Sequence, residues 1–319
     1  MSGSGATRFG DVIDYQAHVP GARLSVVSNS HKDFKAEIAW IELANLNLLQ
    51  CHEILPRIAD ISFAPGRFFI EFPTRRGDSS ICDGVKVQLG DIVFHKRDER
   101  IHQRTCGPYR WGLISLTPNY LETMGAAIAG VKLKTPDATR ILRPTRPALT
   151  ELRRLHAKAF SFAQSHPDLV RKNEVMHAIE QELLLVLVKC LASKNVRGLS
   201  DTQKRYAKII LKLEAVLAAN TRRPQTAPKI AAIIGTSERT LRLACTEILG
   251  MGPKQYGRLK RLNMVRAALR DAHSPVHTVA EAANRYGFSE MGRFSATYRA
   301  VFGELPSTTL NRIKTDSGQ

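Results

Sequence analysis

A short unit that occurs twice in the C-terminal third of this chain constrains its fold more than any other sequence feature. Ala231 and Gly235 begin the first copy, and Ala283 and Gly287 begin the second. In each copy the glycine is followed by a segment with the apolar spacing of an amphipathic helix. Two helices that cross steeply need a small side chain where their backbones approach, and the turn between them needs a residue that tolerates a positive φ. We therefore predict two helix-turn-helix units in tandem.

The second helix of each unit has a predicted start and a predicted buried face. Ser237 and Ser289 suit the N-cap position, where a hydroxyl accepts a hydrogen bond from a free backbone N–H. The second copy has one more residue between its glycine and its first core side chain. The predicted buried faces, at i, i+4 and i+7, are Leu241, Cys245 and Ile248 in the first copy and Phe294, Tyr298 and Val301 in the second. The opposite face of each helix is therefore expected to be free.

These free faces carry side chains that a DNA major groove can accommodate. The candidates for base contacts are Arg239, Thr240, Arg242, Leu243 and Thr246 in the first copy, and Ser289, Gly292, Arg293, Ala296 and Thr297 in the second. Arginine can form two parallel hydrogen bonds to guanine, so Arg239, Arg242 and Arg293 are the main candidates. We predict a protein that reads double-stranded DNA.

A long helix is predicted between the two units, from Pro253 to Arg270. Its apolar face consists of Leu259, Leu262, Val265 and Leu269. A helix of that length measures about 27 Å, close to the roughly 34 Å that separate successive major grooves on one face of DNA. Arg258, Lys260 and Thr278 are the candidates for phosphate contacts. The spacing favours one chain that contacts two consecutive grooves.

The residues from about Lys204 to Arg312 resemble the DNA-binding domain of the AraC/XylS family of bacterial transcription regulators. The resemblance is carried by Thr278–Ser289, by Phe294 and by the closing segment Phe302–Ser307. Within the family, the segments 248–253 and 291–298 are most similar to the ethanolamine-utilisation regulators. Three positions differ from residues that many members carry there, namely Leu243, Cys245 and Ala296.

The resemblance implies a function and a set of partners. It implies a cytoplasmic transcription regulator, an activator in many members, that binds a promoter site as a homodimer, acts on RNA polymerase and responds to a small-molecule effector. Neither the effector nor its binding residues follow from the sequence. No cofactor is expected.

Charge and composition agree with a DNA-binding protein. From residue 201 onward there are 20 Lys and Arg against 9 Asp and Glu, a net charge of +11 out of the +18 of the whole chain. Such an excess strengthens the salt-sensitive part of DNA affinity. No stretch is long and apolar enough to span a bilayer, and the first residues lack the apolar core of a secretion signal, so we expect no membrane association. The 5 cysteines form no C-x-x-C pair, which is typical of reduced thiols.

The N-terminal part shows a different pattern, with strand-like runs separated by turn residues from about residue 20 to 120. Clear examples are Phe68–Phe72, Val85–Leu89 and Trp111–Leu116. Two amphipathic helices are predicted at about 149–163 and 173–193. This arrangement resembles the cupin-like sensor and dimerisation modules that precede the DNA-binding domain in the family. We predict an α+β protein: a cupin-like β-rich domain with a helical pair (1–195, helical from about 145), a linker (196–203), and an all-α domain of two helix-turn-helix units joined by a long helix (204–319).

Two alternative functions stay open at this point. A metal-dependent cupin enzyme fused to the DNA-binding domain would need converging histidines and a carboxylate, and His95, His102 and Glu99 lie near one another in sequence. Their spacing does not match the usual cupin motif, so we expect exposed or locally hydrogen-bonded histidines in a loop and no metal. No catalytic motif is present, and we expect no enzyme. The second alternative is a DNA-binding protein without an effector.

Overall fold

The computed structural model describes residues 3–28, 34–130, 133, 136–169, 172–192, 195–271 and 274–316. Its N-terminal part is built from antiparallel strands. The strands are β1 (Ser4–Phe9), β2 (Ala22–Val27), β3 (Ala36–Glu42), β4 (Asn47–Glu53), β5 (Ile58–Phe63), β6 (Phe68–Pro73), β7 (Ser79–Cys82), β8 (Val85–Gln88), β9 (Ile92–Phe94), β10 (Arg100–Thr105), β11 (Tyr109–Leu116), β12 (Arg140–Leu142) and β13 (Val196–Gly198).

These strands form two sheets that face each other. The larger sheet has the order β1-β3-β4-β11-β6-β9-β12-β13, and the smaller has the order β2-β5-β10-β7-β8. Side chains from the facing sides, such as Leu24, Ile101 and Leu113, pack into one core. Successive residues on a strand point to opposite faces, so Ile114, next to Leu113, belongs to a second core on the outer side of the larger sheet.

Helices cover that outer side and make up the C-terminal part. The helices are α1 (Val12–Ala17), α2 (Pro118–Ala129), α3 (Arg146–Ser165), α4 (Asn173–Leu191), α5 (Asp201–Ala219), α6 (Ala227–Ile234), α7 (Glu238–Leu249), α8 (Pro253–Arg270), α9 (Val279–Arg285), α10 (Met291–Phe302) and α11 (Pro306–Asp316). The predicted helical pair is α3 and α4, whose buried leucines, Leu152 and Leu184 among them, pack against the larger sheet. The predicted fold class is confirmed, and α8 has the predicted bounds.

The C-terminal domain has two cores, one for each helix-turn-helix unit. The first joins α5, α6, α7 and the start of α8 around Ile210, Leu241 and Tyr256. The second joins the end of α8 with α9 and α10 around Val265, Phe294 and Tyr298. Helix α8 contributes to both, so it ties the two units together.

The N-terminal domain packs against the C-terminal one. Val27 and Ile58, at adjacent ends of β2 and β5, belong to the core of the first unit. Arg266 on α8 forms an ion pair of 3.0 Å with Asp11, and Arg270 pairs with the same carboxylate. The β domain therefore contacts the connecting helix as well as the first unit.

Two boundaries differ from those expected. The β-rich region begins at Ser4, well before residue 20, because β1 pairs with β3 in a ladder that joins distant segments. Residues 196–198, expected to be linker, pair with β12, and Arg197 forms an ion pair of 2.8 Å with the buried Asp91. The extended stretch between α4 and α5 is thus an edge strand of the larger sheet.

Candidate nucleic-acid interface

The turn of the first unit has the geometry that the sequence predicts. Gly235 ends α6 with φ 78°, and the N–H of Thr236 donates to the carbonyl of Ala231 at 2.9 Å. Ala231 is buried where α6 meets α7. Ser237 is the N-cap of α7, and its hydroxyl accepts from the N–H of Thr240 at 3.1 Å. The expected cap at Ser237 is therefore confirmed.

Helix α7 separates a buried face from an exposed one. Leu241, Cys245 and Ile248 are at most 1% exposed. On the other face, Arg239, Arg242, Leu243 and Thr246 are exposed, and Thr240 is half-buried. This arrangement leaves the predicted reading face of α7 accessible.

Two side chains on this face are held by neighbours on α7 itself. The guanidinium of Arg242 donates to the carboxylate of Glu238 at 2.9 Å, one turn earlier. Thr246 donates its hydroxyl proton to the carbonyl of Arg242 at 2.9 Å. An exposed ion pair one turn apart on a helix is worth about 0.3–0.5 kcal/mol, so a guanine can displace Glu238 from Arg242 at small cost. Arg239 has no such tether among the contacts of the described residues.

The turn of the second unit is tighter than that of the first. Gly287 has φ 75°, and a Cβ built there would lie 2.7 Å from the carbonyl oxygen of Arg222. The loop that follows α5 thus packs directly against the second turn. Only glycine fits both the backbone conformation and this close approach.

The start of α10 differs from the prediction. The N-cap is Glu290, whose side chain makes no capping hydrogen bond, and Ser289 lies one residue before it. The reason is the additional residue in the second copy, which places the start of α10 one position later relative to its glycine. The prediction of Ser289 as a cap is wrong, although its side chain is exposed at the beginning of the recognition helix.

Helix α10 repeats the division of faces seen in α7. Phe294 and Tyr298 are buried, at 2% and 0% exposure. Gly292, Arg293 and Ala296 are exposed. Arg293 pairs with Glu290 at 3.0 Å in an ion pair open to solvent. The reading face of α10 is therefore free as well.

Thr297 connects the reading face of α10 to α8. Its hydroxyl donates to the carbonyl of Arg293 at 2.7 Å and accepts from the guanidinium of Arg258. Arg258, expected to contact phosphate, is exposed and lies beside the recognition helix. Thr278 is an exposed N-cap of α9 in a full capping box with Glu281.

The third phosphate candidate, Lys260, does not fit. Its side chain is only 12% exposed, and its ammonium forms an ion pair with the buried Glu214 on α5. It lies where the N-terminal domain packs against α5 and α8. The expected phosphate contact of Lys260 is therefore wrong for this arrangement of the domains.

Sequence reasoning missed Arg261, which fixes the second turn from α8. Its guanidinium donates to the carbonyls of Tyr286 and Gly287, at 3.1 and 3.2 Å, and lies 4.8 Å from the ring centre of Phe288. Its role depends on a contact between segments 25 residues apart, which no local pattern shows. Arg261 thus sets the position of the second unit relative to α8.

The histidines of the N-terminal domain are not in the environment expected of them. His95 and His102 are each 1% exposed, and none of their ring nitrogens has a hydrogen-bond partner among the described residues. Burial lowers the pKa of His102, so its imidazole is neutral at pH 7. Glu99 instead accepts a hydrogen bond from Thr139. The prediction of exposed or bonded loop histidines is wrong, because both face inward from paired strands or their ends.

Polar side chains occupy the space between the two sheets. Arg57 donates to Glu53 at 2.6 Å and to Gln103 at 2.7 Å, and Gln103 donates to Glu71 at 2.7 Å. Arg57, Glu71 and Gln103 border a cavity of about 30 Å³ whose other walls include Phe69 and Trp111. That volume has room for about two water molecules, at roughly 10–15 Å³ each.

Parts of this chain are similar to known proteins. A family model described as a helix-turn-helix domain matches residues 230–312. The XylDLEGF operon transcriptional activator 1 of Pseudomonas putida is 40% identical over 95 residues, which are 30% of this chain and 29% of that protein. The XylDLEGF operon transcriptional activator 2 of the same organism is 30% identical over 131 residues, which are 40% of this chain and 83% of that protein. The solved structure of a probable AraC family transcriptional regulator from Rhodopseudomonas palustris is 36% identical, with a TM-score of 0.30, and the match covers 33% of this chain and 96% of that one.

The length covered differs between these relatives. The chain spans less than a third of the first activator and most of the second. In the described part of the chain, no helix has the length and apolar character needed to cross a membrane. With 83% of a relative covered at 30% identity, and with both helix-turn-helix units in place, the chain belongs to the AraC/XylS family of transcription regulators.

Proposed function

We propose that this protein is a sequence-specific transcription regulator that places α7 and α10 in successive major grooves of a promoter. One observation carries the proposal: each recognition helix buries one face in its own core and leaves the opposite face free, and α8 joins the two units rigidly. The net charge of +11 from residue 201 onward supplies the attraction to the DNA backbone.

Arginine side chains are assigned the main reading roles. Arg239, Arg242 and Arg293 are exposed on the two reading faces and are long enough to reach guanine edges. Arg258 and Thr278 are assigned to phosphates. The remaining candidates for base contacts are Thr240, Leu243, Thr246, Ser289, Gly292, Ala296 and Thr297.

We assign effector binding and dimerisation to the N-terminal domain. Its buried polar groups around Arg57 and Gln103 are of the kind that orient a small-molecule effector, although the present cavity would have to open to admit one. A groove between α3 and α4, lined by Phe162, Ile179 and Leu183, supports dimerisation through the helical pair. Action on RNA polymerase as an activator and location in the cytoplasm belong to the proposal. The domain limits are close to the expected 1–195 and 204–319, with residues 196–198 added to the N-terminal domain as an edge strand and the DNA-binding domain starting with α5 at Asp201.

The two alternatives predict different behaviour. Among the described residues, the group of potential metal ligands that lies close together contains His102 but neither His95 nor Glu99, so the geometry does not favour a cupin enzyme centre. An effector-independent protein would show no ligand-dependent rise in thermal stability across a panel of metabolites.

The experiment measures how strongly Arg239→Ala and Lys208→Ala bind a set of promoter sites that differ from one another by single base pairs. Lys208 is an exposed cation on α5, away from both recognition helices, so its loss changes the net charge equally. Arg239→Ala should relax the preference at one base pair and cost about 1–3 kcal/mol there, whereas Lys208→Ala should leave base preference unchanged. Equal loss on specific and random DNA for Arg239→Ala would exclude it as a reading residue.

A further inference from the structure

A buried cluster of potential metal ligands lies where the two domains meet. Asp60 on β5 and His102 on β10 come from the N-terminal domain, and Glu214 on α5 comes from the DNA-binding domain. They are 6%, 1% and 1% exposed, and one ligand atom of each lies within 4.8 Å of the others. Their residue types are those that bind Zn²⁺ through nitrogen and oxygen.

The imidazole of His102 is the feature that points to a ligand. Neither of its ring nitrogens has a hydrogen-bond partner among the described residues, and Nε2 lies 3.5 Å from Oε1 of Glu214. A buried polar group left without a partner costs about 1–3 kcal/mol. The separation of the two atoms matches the edge of a coordination shell in which each is about 2.0–2.2 Å from one metal ion.

A divalent ion could replace the two side-chain cations that now neutralise the cluster. The carboxylate of Asp60 accepts from Arg100, at 2.7 Å for Nε. Glu214 is paired with Lys260, and its Oε1 also accepts from the hydroxyl of Tyr256, which an ion would displace. Two monovalent cations thus balance two carboxylates.

Arg100 has 43% of its side chain exposed, so its guanidinium can turn to water. Lys260 is only 12% exposed, so its ammonium stays at Glu214 until the ion takes its place there. One divalent ion would then balance the same two charges and also give His102 a partner.

We propose that Asp60, His102 and Glu214 form a site for a divalent transition metal ion, with Zn²⁺ as the preferred ion, that exchanges with Arg100 and Lys260. Water completes the coordination. Because the ligands come from both domains, the ion fastens the N-terminal domain to α5 and so to the first helix-turn-helix unit. This site differs from a cupin enzyme centre, which would lie within the β domain alone.

The test uses the full chain, freed of any tag and of metal by a chelator, and titrated with Zn²⁺ by calorimetry. The expected result is one ion per chain. His102→Asn and Glu214→Gln should each weaken binding by about 100-fold or more, since even loss of a partner outside the coordination shell costs about 10–100-fold. His95→Asn is the matched control, because His95 is equally buried and its ring nitrogens also have no hydrogen-bond partner among the described residues, although Nε2 lies 3.6 Å from Glu71; it should keep the binding of the parent protein.

A second readout protects the test against variants that misfold. Co²⁺ added to the metal-free parent protein should give the visible bands of a four-coordinate nitrogen and oxygen site, without the near-ultraviolet band of a thiolate ligand. Absence of stoichiometric binding, retention of binding in His102→Asn, or a thiolate band would each overturn the proposal. Promoter binding by the same preparation, measured in parallel, tests the regulator function separately.

Discussion

Removal of the Phe294 ring should disable the second helix-turn-helix unit and leave the first one working. Phe294 is 2% exposed, and its ring centre lies 5.1 Å from that of Phe288 and 5.7 Å from that of Tyr298. Truncation of a buried phenylalanine to alanine costs about 3–5 kcal/mol, from lost transfer free energy and from the cavity that remains.

That loss of stability is large compared with the stability of the core that contains Phe294. Whole domains are stable by only about 5–15 kcal/mol, and the core around Phe294 is the smaller of the two in the DNA-binding domain. The first unit has its own core, centred on Leu241, and is also braced by the N-terminal domain. We therefore expect Phe294→Ala to unfold α9 and α10 locally while α7 keeps its place.

The assay is hydroxyl-radical footprinting of the full chain on its promoter site. Phe294→Ala should lose protection over one of two adjacent elements, and Leu241→Ala, the reciprocal change, should lose protection over the other. Hydrogen exchange should show faster exchange in α9 and α10 alone for Phe294→Ala. Loss of both elements at once, with α7 still protected from exchange, would refute the reasoning that the two units fold and bind as separate parts.

Two further predictions concern stability. Burial lowers the pKa of His156 to about 4 from an ordinary value near 6.5; the unfolded chain therefore binds the proton first, and about 3 kcal/mol of stability should be lost as the pH falls from 6.5 to 4. Denaturant titrations at several pH values should show this loss in the parent protein and less of it in His156→Phe; a parallel loss in both would contradict the assignment. Gly235→Ala should lower the free energy of unfolding by about 1–2 kcal/mol, because residue 235 has a positive φ. Gly287→Ala should lower it by clearly more, because its Cβ would also meet the carbonyl of Arg222. Equal free energies of unfolding for the two variants would contradict the close approach of the Arg222 carbonyl to position 287.

The DNA-binding domain was largely predictable because its signals are local. Three of these signals act within a few residues of the feature they determine. They are Pro253 at the start of α8, the capping Ser237 and the turn residue Gly235. The start of α10 differs from the prediction because the extra residue in the second copy shifts the N-cap to Glu290, one position beyond the equivalent of Ser237.

The N-terminal domain was predictable only in outline, because strand pairing joins segments that are distant in the chain. Alternation indicated β8, but no local pattern places β1 beside β3 or recruits residues 196–198 as an edge strand. The burial of His95 follows from the same long-range pairing. Sequence patterns report the two faces of a strand but not its partners.

Contacts between the domains were the least predictable part of the site. Lys260 has the position of a phosphate contact on an isolated α8, and only the docking of the N-terminal domain gives it a buried carboxylate as partner. Arg261 is similar: its role depends on carbonyls in the next helical unit. Both roles depend on how separately folded parts of the chain pack against each other, which neither hydrophobic periodicity nor composition specifies.

The central claim is tested most directly by the binding of the purified protein to fragmented genomic DNA of its own organism, read by sequencing at about 150 mM salt, where nonspecific affinity is weak. The account predicts sharp peaks with a motif of two elements about ten base pairs apart, one for each recognition helix. Uniform, salt-sensitive coverage without a motif, in the presence or absence of metabolite extracts, would contradict it.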